Sequence, residues 1–130
     1  MILLDTHMWV WSVGDTSQLR PRHRELLDEH ANEGWGVSVI SCWEVAKLVE
    51  RGRLVLQPPV AEWIAAALQS PHIRLLSLTP EIAVASTQLP IGFHTDPANQ
   101  IIVATARVLG IPLLTADAKI LNYPHVALLR

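Results

Sequence analysis

Four acidic residues lie where predicted strands end or predicted helices begin. Asp5 follows the apolar run Ile2–Leu4, Glu44 lies one turn into a helix, Asp96 starts the clearest helix, and Asp117 follows a late strand. Carboxylates that converge repel one another unless a cation joins them. Mg²⁺ binds a few carboxylates together with waters and phosphate oxygens. The residue types therefore indicate hydrolysis of a phosphodiester assisted by a divalent cation.

Each of these acids also has a purely structural interpretation. Ser41-x-x-Glu44 matches a capping box, in which Glu44 satisfies an amide at the helix start. Asp96 precedes a proline, as a helix N-cap does, and Asp117 matches a turn or cap residue. Asp5 fits such roles least, because a carboxylate directly after an apolar strand needs a partner. Taken singly, Glu44 and Asp96 favour the structural role; taken together, the acids favour a site.

Short apolar strands alternate with helices along the chain. Strands are predicted at Ile2–Leu4, Trp35–Ile40, Ile73–Leu78, Pro112–Thr115 and, as a fifth, Val126–Leu129. Helices are predicted at Leu19–Ala31, Ser41–Arg51 and Val60–Gln69, from Thr79 to just before Pro90, at Asp96–Leu109 with Gly110 as its stop, and as one turn at Ala118–Leu121. Such strands are buried on both faces of a parallel sheet, and sites form beyond their carboxyl ends. The prediction is an α/β fold that gathers the acids at one edge.

Composition limits the classes of function. The chain has 130 residues, half of them hydrophobic, which predicts a single domain over residues 1–130. The net charge of −2 argues against a nucleic-acid binder that relies on bulk positive charge. Cys42 is the one cysteine, so no internal disulfide is expected. The apolar runs are too short to span a bilayer, and the first residues do not resemble a signal peptide. We therefore expect a cytoplasmic protein without a membrane partner.

Several segments, in order along nearly the whole chain, resemble PIN-domain nucleases, especially VapC-type toxins of toxin–antitoxin pairs. The matching segments are Leu3-Leu4-Asp5-Thr6-His7, Ser41-Cys42-Trp43-Glu44-Val45-Ala46, Phe93-His94-Thr95-Asp96-Pro97-Ala98-Asn99, Ile102-Val103-Ala104-Thr105-Ala106 and Leu114-Thr115-Ala116-Asp117. The resemblance implies a three-layer α/β/α PIN-like fold around a mainly parallel sheet. It also implies an endoribonuclease that depends on Mg²⁺ or Mn²⁺, a cognate antitoxin and a homodimer.

Site residues carry over from the resemblance position by position. Asp5, Glu44 and Asp117 match acidic metal-site positions of the family, and Thr6 and Thr115 match supporting polar positions. On this basis the catalytic set is Asp5, Glu44, Asp96 and Asp117.

The third acidic position departs from the family pattern. Relatives commonly read Asp-Pro-Ala-Asp where this chain reads Asp96-Pro97-Ala98-Asn99. Asn99 offers a carbonyl oxygen but no charge, so it joins the metal set as a neutral ligand. Three interpretations stay open: weaker metal binding, use of Asp96 instead, or an impaired site. The last leads to the alternative function, a catalytically weak PIN-like module that keeps its antitoxin or RNA interface.

Basic and aromatic residues suggest RNA contacts. Lys47 and Arg51 share one helix face with Glu44, which predicts phosphate contacts as much as a solvated face. Trp9 or Trp11 could present an apolar surface to an antitoxin, and aromatic rings near an RNA site stack on bases. His94 is interpreted as a loop histidine.

Two phosphoryl-transfer folds of similar length match less well. A haloacid-dehalogenase-like phosphatase needs a second acid two residues after the first, where this chain has His7. A receiver domain needs an aspartate at the end of its central strand, where Ile73–Leu78 is followed by Thr79-Pro80.

Overall fold

A computed structural model describes residues 1–93 and 95–130, so His94 lies outside the described residues. The elements follow in chain order as β1 (Ile2–Leu4), α1 (Thr6–Val13), α2 (Pro21–Glu29), β2 (Trp35–Ser38), α3 (Val39–Glu50), α4 (Val60–Ala67), β3 (Ile73–Leu76), α5 (Pro80–Ala85), α6 (Pro97–Leu109), β4 (Leu113–Leu114) and α7 (Ala118–Leu121). Short 3-10 turns at Thr16–Gln18 and Ala31–Glu33 flank α2.

The strands form one parallel sheet in the order β3-β2-β1-β4. Leu3 of β1 pairs with Gly36 of β2 on one side and with Leu113 of β4 on the other. β1 therefore lies inside the sheet, and the segments that follow β1, β2 and β4 leave the same edge. The predicted strand Val126–Leu129 is reduced to a single bridge between Leu113 and Leu128.

Helices cover both faces of the sheet, which confirms the three-layer α/β/α prediction. Alternate residues of a strand point to opposite faces. Ile2 and Leu4 accordingly pack with Met8 and Trp9 of α1 in one core. Leu3 packs on the other face, in a second core that includes Ile102, Val103 and Ala106 of α6 and Leu113 of β4.

The start of α3 differs from the prediction, and the difference matters for Glu44. The helix begins at Val39, and its N-cap is Ser38, whose side chain accepts a hydrogen bond from Ile40 N. Ser41 and Glu44 are therefore inside the helix, and the predicted capping box is wrong. The apolar pair Val39-Ile40 has the β-branched character of a strand, but the chain turns into the helix directly after Ser38.

The helix α1 was not predicted at all. Asp5 is its N-cap and accepts a hydrogen bond from Met8 N at 3.0 Å. Thr6, Met8, Trp9 and Val10 are all buried, so the segment lacks the contrast between a polar and an apolar face that indicates a helix in a sequence.

The remaining elements follow the predicted order with shorter bounds. The predicted helices Leu19–Ala31 and Val60–Gln69 and the helix beginning at Thr79 are each trimmed, as is the strand Ile73–Leu78. The helix α6 ends as predicted, because Gly110 takes a left-handed conformation with a φ of 65°. Among the described residues, no helix is long and apolar enough to cross a membrane.

Candidate functional site

Asp5 occupies the junction between β1 and α1 at the carboxyl edge of the sheet. Its residue is only 6% exposed. One carboxylate oxygen accepts from Met8 N, and the other accepts from the hydroxyl of Thr115, which follows β4. Three adjoining segments of the edge, namely the end of β1, the start of α1 and the end of β4, therefore hold this carboxylate in one orientation.

Glu44 reaches the same edge from α3. Its carboxylate accepts a hydrogen bond from the Thr6 hydroxyl, and the Thr6 Oγ1 also lies 2.9 Å from the Ser41 Oγ. Thr6 is adjacent to Asp5 in the chain, so one residue pair, Asp5-Thr6, connects β1 to the acid on α3. Glu44 thus bonds a residue of another element and has no role in capping its own helix.

Asp96, Asn99 and Asp117 lie on the outer side of this cluster. Asp96 caps α6 by accepting from Asn99 N at 3.2 Å, and Asp117 caps α7 by accepting from Lys119 N at 2.8 Å. The side-chain amide of Asn99 donates to Asp117 Oδ2 at 3.3 Å. Asp117 N donates to Thr115 Oγ1 at 2.9 Å, which links this side of the cluster to Asp5.

Burial and mutual repulsion change the acidity of the two inner acids. Burial raises the pKa of Asp5, and nearby Asp117 raises it further, although the Thr115 and Met8 hydrogen bonds and His7 oppose the rise. Burial likewise raises the pKa of Glu44, with Asp96 and Asp117 adding to the effect and the Thr6 hydrogen bond and His7 opposing it. Negative charge at this edge is therefore unfavourable without a cation.

A cavity of about 560 Å³ opens beside Glu44, between α3 and the start of α6. Lys47 and Arg51 line it from α3, and Asp96 lines it from the opposite side. The predicted phosphate-contacting residues and two of the predicted acids therefore face one space. A smaller hollow on the other side is lined by Asp5, His7 and Asp117, among others.

The order of the elements, the parallel sheet and the position of the acids agree with one known family. Residues 2–126 match the PIN domain family. The chain belongs to the PIN-domain family.

Individual relatives agree with this assignment. The PIN domain is 34% identical to Ribonuclease VapC22 of Mycobacterium tuberculosis over 124 residues, which cover 95% of this chain and 92% of that protein. FitAcB from Neisseria gonorrhoeae superposes with a TM-score of 0.70 at 26% identity, covering 100% of this chain and 97% of that one. A toxin–antitoxin complex from Klebsiella pneumoniae has the same fold, with a TM-score of 0.65 at 17% identity and coverage of 100% and 97%.

PIN-domain ribonucleases use a divalent metal, and the chemistry of this PIN domain fits one. The ligands that the edge offers are all oxygens, which hard cations prefer. Among residues 1–93 and 95–130, however, no three Asp, Glu, His or Cys groups are close enough to bind one ion together. Instead, the carboxylate of Asp5 accepts a hydrogen bond from Thr115, and the carboxylate of Glu44 accepts one from Thr6.

The tryptophans Trp9 and Trp11 of this PIN domain differ in exposure. Trp9 is fully buried, so the prediction that it presents an apolar surface is wrong. It packs edge-on against Trp63, with ring centroids 5.3 Å apart. Trp11 is half-buried and stacks obliquely on exposed His7, at 5.8 Å between centroids.

Two further residues belong to the neighbourhood of the site and were not predicted. Ser41 bonds the hydroxyl that holds Glu44, and Lys119 lines the same cavity as Glu44. The capping-box interpretation assigned Ser41 to the helix end and so obscured its contact. Lys119 was detectable in principle, because it follows Asp117 by two residues at the same sheet edge.

Proposed function

We propose that the chain is a divalent-metal-dependent endoribonuclease and the toxin of a toxin–antitoxin pair. The observation that carries the proposal is a pair of acids, buried Asp5 and half-buried Glu44, at the carboxyl edge of a PIN-domain sheet, both with raised pKa. The identity of 34% to Ribonuclease VapC22 supports RNA as the substrate.

The residues that would hold Mg²⁺ or Mn²⁺ are carboxylates and one amide, namely Asp5, Glu44, Asp96, Asn99 and Asp117. A bound ion of this kind lowers the pKa of a water and offsets negative charge that develops on phosphate. Asp5, Glu44, Asp96 and Asp117 form the catalytic set. Thr6 and Thr115 orient the carboxylates of Glu44 and Asp5, respectively, through the hydrogen bonds described above.

Lys47 and Arg51 are proposed to contact the phosphates of the RNA. Both line the cavity that contains Glu44. Lys47 is ion-paired with Glu50 at 2.8 Å, but an exposed pair of this kind contributes little, so the ammonium remains available to a phosphate. These contacts would position the backbone without reading its sequence.

A metal titration of RNA cleavage tests the proposal. Purified protein should cleave single-stranded RNA with Mn²⁺ or Mg²⁺ and stop with EDTA. Glu44→Gln should lose most of this activity and keep its stability, because the glutamine oxygen still accepts from Thr6. The matched control is Ser38→Ala, which removes the true N-cap of α3. It should cost about 1 kcal/mol of stability and leave the cleavage rate per folded molecule unchanged.

One observation supports a second candidate, the catalytically weak module. The Asn99 amide bonds Asp117 at a position where a carboxylate would add a charge to the metal site. Wild-type protein that binds RNA but cleaves it no faster than Glu44→Gln, at saturating Mn²⁺, would favour this candidate.

A separate apolar groove is proposed to bind the antitoxin. It has a volume of about 560 Å³ between α1, the end of α3 and the segment that follows α3. Its lining residues include Trp11, Leu54, Val55, Leu56 and Trp63. Val55 is 88% exposed, which is unfavourable without a partner. Because the Klebsiella relative was solved as a toxin–antitoxin complex, an amphipathic antitoxin segment is the occupant proposed.

Co-expression with a candidate antitoxin, such as any small protein encoded directly upstream, tests this groove. Val55→Asp should weaken the complex and leave RNA cleavage intact. Val84→Asp is the control, since Val84 is also exposed, at 56%, but lies on α5 outside the groove. Equal complex formation by both variants would place the antitoxin elsewhere. The homodimer and the cytoplasmic location remain predictions, and sedimentation of the purified chain tests the first.

A further inference from the structure

Trp43 differs from the other tryptophans in its exposure. It precedes Glu44 on α3 and is 50% exposed, whereas Trp9 is fully buried and Trp11, Trp35 and Trp63 are partly buried. Large aromatic side chains contribute most of their free energy when water is removed from their faces. Trp43 is half exposed beside an acidic site, so a ligand that covers its indole would gain free energy by removing water from the ring.

Trp43 shares a cavity with Glu44 and with the proposed phosphate contacts Lys47 and Arg51. It lines the cavity of about 560 Å³ between α3 and the start of α6. Glu44 and Asp96 line the same cavity, so the indole and two of the acids border one space. That volume lies within the range of about 300–1,000 Å³ typical of small-ligand sites.

Several cations line this cavity together with the indole. Lys47 Nζ lies 6.0 Å from the centre of the Trp43 ring, one helical turn along α3. Arg51, Arg53 and Lys119 also line the cavity. A groove that combines cations for the backbone with an aromatic face for the bases is the arrangement that binds single-stranded nucleic acid.

We propose that Trp43 is a specificity-determining residue, on whose indole the nucleobase next to the scissile phosphate stacks. This inference rests on the proposed ribonuclease function. Bases in a duplex are already stacked on one another and are closed to the ring, so the site takes unpaired nucleotides. Stacking tolerates any base, because each has a π face, and it therefore selects for the unpaired state more than for sequence.

A nucleotide suits this cavity better than an apolar protein segment. The cavity is lined by two acids and by Lys47, Arg51, Arg53 and Lys119, and an apolar helix would remove water from these charges without offering them partners of its own. The apolar groove around Val55 adjoins this cavity and shares Leu48 and Arg53 with it, but it lacks Trp43 and the other three cations. A protein that covers Trp43 is consequently the rival outcome in the test.

Binding of two RNA probes of equal length and charge tests the stacking directly. The first probe is a hexauridylate, and the second is a hexamer with the same ribose-phosphate backbone and no bases. Both are measured by fluorescence polarisation in EDTA, so that no cleavage occurs. Trp43→Ala should weaken hexauridylate binding by roughly tenfold and leave the abasic hexamer unchanged. Trp43→Phe should retain most of the affinity, and Trp43→Leu should behave like alanine.

The controls separate stacking from charge and from folding. Lys47→Ala should weaken the binding of both probes equally, because both probes carry the same phosphates. Leu75→Ala should leave the binding of both probes unchanged, since Leu75 is 51% exposed but lies on β3, outside the cavity. The thermal midpoint of Trp43→Ala should stay at the wild-type value, as expected for a surface substitution.

Defined results would overturn the inference. An equal loss for both probes, or full affinity in Trp43→Leu, would mean that the indole does not stack on a base. Unchanged RNA binding with loss of a dimer or of the antitoxin complex would assign Trp43 to a protein interface. Failure of the wild-type protein to bind or cleave RNA would instead overturn the proposed function itself.

Discussion

The site has two halves that differ in what holds their acids. The inner half comprises Asp5, Thr6, Glu44 and Thr115, and the outer half comprises Asp96, Asn99 and Asp117. In the inner half, hydroxyls from other elements hold the carboxylates, and Asp5, Thr6 and Thr115 are almost inaccessible to water. In the outer half, Asp96 and Asp117 cap their own helices, and Asp96 is exposed.

This difference separates function from local stability. Asp96 and Asp117 stabilise the protein without any metal, because each satisfies an amide at a helix start. Asp5 also accepts an amide hydrogen bond at the start of α1, but its charge is buried, and the cost of that burial offsets the cap. Acids of the inner half are destabilising while they are charged and alone, as their raised pKa indicates. We therefore expect substitutions in the inner half to harm cleavage most and to harm the metal-free fold least.

The largest effect is expected for Asp5→Asn. The asparagine keeps one oxygen to accept from Met8 N, places its amide NH2 beside Thr115 Oγ1, which can accept from it, and removes the charge. Cleavage should fall by more than about a hundredfold. The free energy of unfolding in EDTA at neutral pH should rise by about 1 kcal/mol, because the buried charge is gone. Cleavage assays and thermal melts measure the two effects. A variant that is less stable in EDTA would contradict the contrast between the halves.

Thr115→Val should have the next largest effect, because Thr115 bonds both halves. Valine keeps the shape but removes the donor to Asp5 and the acceptor for Asp117 N. Metal affinity should fall by roughly 10–100-fold. Thr105→Val is the control, since the buried Thr105 hydroxyl bonds only Ile101 O of its own helix among the contacts described. Isothermal titration with Mn²⁺ should distinguish the two, and equal affinities would remove Thr115 from the site.

Asn99→Asp should change activity by several-fold and should sharpen the role of the outer half. A carboxylate in place of the amide turns the contact with Asp117 from attraction to repulsion. Stability in EDTA should fall by about 1 kcal/mol, while metal affinity and cleavage rise. Asp96→Asn, measured in parallel, tests whether Asp96 already serves as the third acidic ligand of the metal site. If Asn99→Asp leaves cleavage unchanged and Asp96→Asn abolishes it, Asp96 is the third acidic ligand.

The smallest effect concerns pH. Because the folded-state pKa of Asp5 and Glu44 is raised, the folded protein binds more protons than the unfolded chain above the unfolded pKa of about 4. Their contribution to stability is fully present below the unfolded values and is lost as pH rises through the folded values. In EDTA, the thermal midpoint of wild type relative to Asp5→Asn should therefore fall as the pH rises above the unfolded-state pKa of about 4.

Measuring a difference between two proteins isolates this contribution. The exposed carboxyls Asp15, Glu33 and Glu50 have a lowered pKa and act in the opposite direction, equally in both proteins. A constant difference across the pH range would mean that Asp5 keeps an ordinary pKa.

Local patterns in the sequence determined the order of the elements and the α/β class of the fold. Short apolar runs predicted β1 and β4 because only a sheet covered on both faces buries every residue of such a strand. The helix α6 was predicted closely, since Asp96-Pro97 and Gly110 are strong start and stop residues. The family resemblance added what composition alone did not contain, namely the α/β/α topology with RNA and metal as expectations.

Tertiary contacts decided what the local patterns could not. The helix α1 and the early start of α3 depend on burial against the sheet, which overrides a weak or misleading sequence period. Tertiary contacts also decide the role of Glu44. Its spacing from Ser41 matched a helix cap, but its carboxylate accepts a hydrogen bond from Thr6, which lies 38 residues away in the sequence. The sequence thus specified which acids are available, and only the packing of α1 and α3 on the sheet decided which are buried and in need of a cation, because the free energy of a charge depends on the atoms that surround it.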